Sequence, residues 1–162
     1  MLQPAAIDGL AFARNAALLE GRLDLDSMPR LAQSGCSGAV LGFVLAGEIS
    51  QRGKPALGLT VEGMVRLECQ RCLESLEFPL RLVAQLELAT NEAEIAAGDG
   101  EDDIDRVLAR PDMGVAELVE DEVLLALPMV PKHAQCKAAA GSEGNVRPSV
   151  FAGLAALKKS NR

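Results

Sequence analysis

Leu76-Glu77-Phe78-Pro79-Leu80-Arg81-Leu82-Val83-Ala84-Gln85-Leu86-Glu87-Leu88 is the stretch that decides the fold. Leu76, Phe78, Leu80, Leu82, Leu86 and Leu88 alternate with Glu77, Arg81, Gln85 and Glu87, the period of two that sends successive side chains to opposite faces of a sheet. The pattern predicts a strand with one face in a core and the other against water. Just upstream, Leu57, Leu59, Val61, Val65 and Leu67 alternate with Thr60, Glu62, Met64, Arg66 and Glu68, which predicts a second half-buried strand. Ala39 to Ile49 is apolar at both parities, so this strand is expected to be central or covered on both faces. Gln51-Arg52-Gly53-Lys54 is turn chemistry, and the short connections imply an antiparallel meander over residues 39–88.

Working outward, Val115, Leu118, Val119, Val123 and Leu127 form an apolar stripe opposite Glu117, Glu120 and Asp121, predicting an amphipathic helix over 115–127 that stops at Pro128. Leu10, Ala13, Ala17 and Leu18 predict a helix over 8–20 with Gly21 as its stop. Leu23 and Leu25 alternate with Asp24 and Asp26 as in a short strand, a short helix is expected around Pro29–Gln33, and residues 34–38 are a loop. Asn91–Ala97 reads as another short helix. Residues 98–103 hold only glycines and acids, too little apolar content to offset the entropy of ordering, and are expected to be a mobile acidic loop. Residues 137–162 form a basic C-terminal segment, with a final helix expected from Pro148 through Phe151, Leu154 and Leu157. No internal repeat is visible. The reading is a single α+β domain spanning 1–162, its meander packed against helices.

A chain of 162 residues, 49% apolar, suffices for one such core. With neither Trp nor Tyr and only 4 Phe, that core is aliphatic, and the chain lacks the aromatic platforms on which single-stranded nucleic acid stacks. A net charge of −7 also argues against a generic phosphate-binding surface. The charge is uneven: acids crowd residues 91–122, where only Arg106 and Arg110 oppose them, whereas residues 132–162 carry Lys/Arg against the single acid Glu143. Lys158, Lys159 and Arg162 at the end of that basic tail are candidate partner contacts. With no run of about 18 apolar residues and no signal-peptide pattern, the expected location is the cytoplasm.

Leu67-Glu68-Cys69-Gln70-Arg71-Cys72-Leu73 places a Cys-x-x-Cys where the second strand turns into the third, and sixty residues later His133-Ala134-Gln135-Cys136 repeats the same gap. Thiolates and a neutral imidazole can close the tetrahedron of a structural zinc site, so Cys69, Cys72, His133 and Cys136 are a candidate set that would staple the hairpin to the helix exit. Two other readings remain open: semi-buried packed thiols at a strand end, and a thiol redox pair of Cys69 and Cys72. His133 is the single histidine, and a post-helical histidine also serves as an ordinary hydrogen-bonded residue. Cys36, between glycines, reads as an incidental loop thiol. Glu117, Glu120, Asp121 and Glu122 read as a solvated helix face rather than a carboxylate site. There is no readable Ser-His-Asp set and no phosphate-cradling glycine loop, so no enzymatic activity is expected.

The cysteine motif at Leu67–Leu73 resembles that of the YceD family. Val119-Glu120-Asp121-Glu122-Val123-Leu124-Leu125-Ala126-Leu127-Pro128 with Val130-Pro131-Lys132-His133 is similar to the family's helix-to-proline segment. Arg147 to Lys158 resembles its C-terminal ending, with Val150 standing where the family pairs Pro with Phe. The resemblance implies a non-enzymatic role in the synthesis, processing or stability of large-subunit ribosomal RNA. An acidic chain with that role is expected to bind a ribosomal or preribosomal protein, with rRNA contacted directly or indirectly and no membrane involved. A thiol redox protein using Cys69 and Cys72 is the alternative from a different class.

Overall fold

Alternation in three consecutive segments produces the centre of the molecule. The computed structural model describes residues 6–96 and 105–137, so the acidic loop 98–103, the expected final helix, and Lys158, Lys159 and Arg162 lie outside the described residues. Strands β1 (Ala6–Ile7), β2 (Leu18–Asp24), β3 (Gly38–Ile49), β4 (Pro55–Glu68), β5 (Ser75–Ala89), β6 (Asp105–Leu108) and β7 (Met113–Gly114) are joined by helices α1 (Gly9–Arg14), α2 (Pro29–Gln33), α3 (Glu92–Ala96) and α4 (Val115–Ala126). The main sheet has the order β2-β3-β4-β5-β6, and β1 pairs with β7 in a small second sheet. The fold is α+β, and β3-β4-β5 is the expected antiparallel meander.

Register places Phe43 opposite Val61, Leu45 opposite Leu59, Val65 opposite Phe78 and Leu57 opposite Leu86. These residues share one face. Ala13 of α1, Leu31 of α2, and Val115, Val119 and Val123 of α4 enter the same core cluster, so the helices cover that face. The α1 backbone lies directly on β3 at Gly47, where an added Cβ would fall 2.8 Å from the Ala13 Cα. Only glycine permits that approach.

Several expectations are corrected. The predicted helix over 8–20 ends at Arg14, and residues from Leu18 form β2, with Gly21 inside the strand opposite Phe43 rather than stopping a helix. Leu19 and Leu23 lie opposite Leu45 and Leu41, so pairing with the edge of β3 overrides the helical spacing. Residues 25–27 form a 3-10 turn instead of continuing a strand. The sheet gains a parallel strand, β6, beside the end of β5. β3 is central, as expected, lying between β2 and β4, and among the described residues its second face is open to solvent, with Val40 62% exposed.

Two acids expected in solvent are buried. Glu87 accepts a 2.7 Å hydrogen bond from Ser50 and faces Arg106 at 3.7 Å, tying the β3–β4 turn to β5 and β6. Glu120 accepts the Leu31 backbone N–H at 2.9 Å and the Arg30 Nε–H at 3.0 Å. It satisfies a donor in the first turn of α2 that has no partner within that helix and locks α2 to α4. Glu117, by contrast, is exposed.

Replacing Glu120 with Ala should therefore strand the buried Leu31 N–H and cost about 1–3 kcal/mol, whereas Glu117→Ala should stay within about 0.5 kcal/mol of the parent. Urea unfolding midpoints at equal slope measure the difference, and equal midpoints for the two variants would contradict the α2–α4 lock.

Candidate metal centre

The alternation that fills the core also aims the first sulfur. Cys69 is the next odd position after Leu67, so it falls on the core side and is fully buried. The chain turns at once: Leu73 N–H donates to the Cys69 carbonyl and Cys69 N–H to the Glu74 carbonyl, both at 2.9 Å. Leu73 adopts φ +62°, a left-handed conformation costing a branched residue on the order of 1–3 kcal/mol. That tight turn brings Cys72 back beside Cys69.

The second half arrives from α4. Past Pro128 the chain bends at Met129 and Val130 and reaches the hairpin, where the Gln70 N–H donates to the Pro131 carbonyl at 2.9 Å and Arg71 Nη2 to the His133 carbonyl at 3.2 Å. These contacts deliver the second pair of side chains. Cys136 Sγ lies 3.7 Å from Cys69 Sγ, and His133 Nδ1 lies 3.4 Å from Cys72 Sγ. The four donor atoms all fall within 4.8 Å of one another.

Tetrahedral zinc with bonds of about 2.3 Å to sulfur and 2.0–2.1 Å to nitrogen has S–S edges of about 3.8 Å and S–N edges of about 3.5 Å. The Cys69–Cys136 and Cys72–His133 separations match those edges. All four cysteines of the chain are free, and 3.7 Å between sulfurs is far longer than a disulfide of about 2.05 Å.

The surroundings fit a metal as well as the ligands do. His133 Nε2 lies 3.1 Å from the Ser75 carbonyl. A carbonyl only accepts, so Nε2 carries the proton and Nδ1 turns its lone pair toward the sulfurs, the usual support for a ligating histidine. Burial alone would push the Cys69 thiol up, but the backbone N–H groups of Cys72, His133 and Arg71 outweigh it and bring it down to about 5, favouring the thiolate. The Cys72 thiol is shifted up: the Glu74 backbone N–H lowers it, but burial and the neighbouring sulfurs raise it more. Three thiolates around a divalent ion leave one net negative charge, and the Arg71 Nε–H donates to Cys136 Sγ at 3.0 Å, placing a cation against it.

The structure thus brings together Cys69, Cys72, His133 and Cys136, a set that could hold a metal ion. Cys36 stays apart, buried and donating to the Gly38 carbonyl. Among the described residues, Glu117, Glu120, Asp121 and Glu122 form no such group. The sequence reading missed Arg71 as a supporting group and Glu120 as a buried one. Arg71 sits inside the motif, but only the fold shows that it reaches Cys136. Glu120 lies three residues before Val123 on α4, at the margin of the apolar stripe, and that spacing was its one signal. No helix among the described residues is long and apolar enough to cross a membrane.

The family model described as large ribosomal RNA subunit accumulation protein YceD matches residues 57–158. The matched span contains both halves of the cysteine–histidine cluster. No curated protein and no solved structure matches the chain.

Elemental analysis of untagged protein should find about one zinc per chain. A chelator should lower the thermal midpoint, zinc should restore it, and Cys72→Ser should abolish both the zinc and the response. Well under one zinc in protein purified with zinc present would show that the four side chains only pack together.

Proposed function

The chain belongs to the YceD family, and from that membership we propose that it is a non-enzymatic factor supporting the synthesis, processing or stability of large-subunit ribosomal RNA. The match over residues 57–158, which spans the hairpin, α4 and the C-terminal motif, is the observation that carries this reading. The metal cluster supports it in a specific way. Four protein donors saturate a tetrahedral ion and leave no position for water or substrate, which is the pattern of structural rather than catalytic zinc. Zinc bound there would supply a cross-link, holding the exit of α4 against the β4–β5 hairpin.

A net charge of −7 favours a basic protein of the ribosome or its precursor as the direct partner over broad contact with RNA phosphates. The acidic residues 98–103 are the proposed face for that protein. Lys158, Lys159 and Arg162 are the proposed contacts to rRNA. The thiol redox alternative has less support. Cys69 lies against Cys136 and Cys72 against His133, so the sulfurs of the Cys-x-x-Cys each face a downstream partner.

A stoichiometric factor should co-sediment with large-subunit precursor particles at low salt, leave as salt rises, and leave large-subunit rRNA intact when incubated with it and magnesium. Cys72→Ser should weaken co-sedimentation in proportion to the folded protein lost. Turnover of RNA ends by the purified wild-type chain, or its absence from precursor particles at every salt, would refute the proposal.

A further inference from the structure

β2 forms one edge of the main sheet, and among the described residues no strand lies on its outer side. An open edge is a template for another strand unless something blunts it, such as a proline, a bulge or charges that repel a neighbour. β2 reads Leu18-Leu19-Glu20-Gly21-Arg22-Leu23-Asp24, without proline, and its register with β3 runs one to one, without a bulge. Only its charges are left to guard the edge, and their order does the reverse. Leu19-Glu20-Gly21-Arg22-Leu23 is self-complementary about Gly21: an antiparallel copy centred there meets each charge with its opposite.

We propose that β2 pairs with β2 of a second copy of this chain about a two-fold axis at Gly21, joining the two main sheets into one. Backbone direction agrees. The Gly47 N–H donates to the Ala17 carbonyl at 2.7 Å, so residue 17 and, by alternation, Leu19, Gly21 and Leu23 turn their peptide groups toward β3. Leu18, Glu20, Arg22 and Asp24 turn theirs outward. In the two-fold register Glu20 lies opposite the partner's Arg22, and Leu18 opposite the partner's Asp24, so outward groups meet outward groups as hydrogen-bonded pairs require. Leu19 lies opposite the partner's Leu23 and Gly21 opposite the partner's Gly21. These are the closely spaced pairs, and the axis passes where no side chain crowds it.

Side chains agree with the backbone. Glu20 and Arg22 are exposed, opposite charges directly across two strands attract, and two-fold symmetry forms the pair twice. Leu19 and Leu23 pack against the core but stay only partly buried, and a neighbouring strand would cover the remainder. The register is also specific. Shifting it by two residues sets Glu20 against the partner's Glu20 in one direction, and Arg22 against the partner's Arg22 in the other. Shifting it by one sets outward peptide groups against inward ones and leaves the hydrogen bonds unformed. A strand of 7 residues a side is well short of the roughly 20–30 of a standard stable interface, so the dimer forms reversibly and with concentration.

Sedimentation velocity of the full chain should show monomer giving way to dimer over a hundredfold rise in concentration. Glu20→Arg turns both ion pairs of the dimer into like-charge contacts and should move that transition to about tenfold higher concentration. Arg22→Glu should do the same. In an equimolar mixture of the two variants every pair is again of opposite charge, so a one-to-one heterodimer should form at the concentration the parent needs. Misfolding of either variant could not produce that recovery, and circular dichroism checks each fold. Val83→Glu, on the open face of the sheet and away from its β2 edge, should leave the transition where it is. A chain that stays monomeric at the highest concentration, a dimer indifferent to both single substitutions, or variants that do not recover on mixing would overturn the proposal.

Discussion

Register between β3, β4 and β5 is the constraint on which the other features depend. Because side chains alternate with a period of two, a slip of one residue in β4 would carry Leu57, Leu59, Val61, Val65 and Leu67, all buried, to the opposite face. At about 1.5–3 kcal/mol for each large aliphatic side chain moved into water, the slip costs roughly 10 kcal/mol, an upper estimate because unfolded chains already bury some surface. A domain of this size is stable by only about 5–15 kcal/mol in total. The slipped sheet is therefore not a minor variant but an unfolded one, and the β3–β4 turn, pinned through Ser50 and Glu87, reinforces the single allowed pairing.

The same parity rule links core to site. Once Leu67 faces the helices, Cys69 must as well, so its sulfur lies beneath the sheet where the chain leaving α4 passes. The direction of α4 is set by its own apolar stripe and by Glu120, which holds α2 through the Leu31 N–H and Arg30. Two independent pieces of packing thus aim two halves of a cluster at one point. The left-handed Leu73 and the Gln70 to Pro131 hydrogen bond complete the aim over the last few ångströms. A cross-link between Cys72 and His133 closes a loop of about sixty residues, and chain-entropy arguments put the stabilisation from closing such a loop at about 4 kcal/mol.

Where one physical rule dominated, the sequence was legible. Period-two alternation marked β4 and β5, an apolar run at both parities marked β3, short connections marked their antiparallel order, the apolar stripe with Pro128 marked α4 to within a residue, and matched two-residue gaps marked all four members of the cluster. The misreadings arose where a long-range contact outweighed a local pattern. Residues from Leu18 carry helical spacing but are recruited as β2 by the open edge of β3, and β6 is four residues long with no alternation to announce it. Glu87 and Glu120 looked like surface acids because burial of a charge depends on a partner, and Ser50, Arg106, Leu31 and Arg30 are all distant in sequence. Apolarity at both parities marked β3 as central or covered, and its place between β2 and β4 meets the first of these without saying what lies on its second face.

The separation of the two halves of the cysteine–histidine cluster has a consequence for how the molecule is made. Synthesis runs from the N-terminus, so Cys69 and Cys72 leave the ribosome about sixty residues ahead of His133, an interval of about 3–12 s at roughly 5–20 residues per second. Throughout that interval a metal ion can find only half of its tetrahedron in the growing chain. The other half emerges after every strand of the sheet and all of α4. During synthesis a metal at this position therefore cannot nucleate the fold; it seals one already assembled, and its retention marks a chain made at least through Cys136 with its hairpin and helix in register.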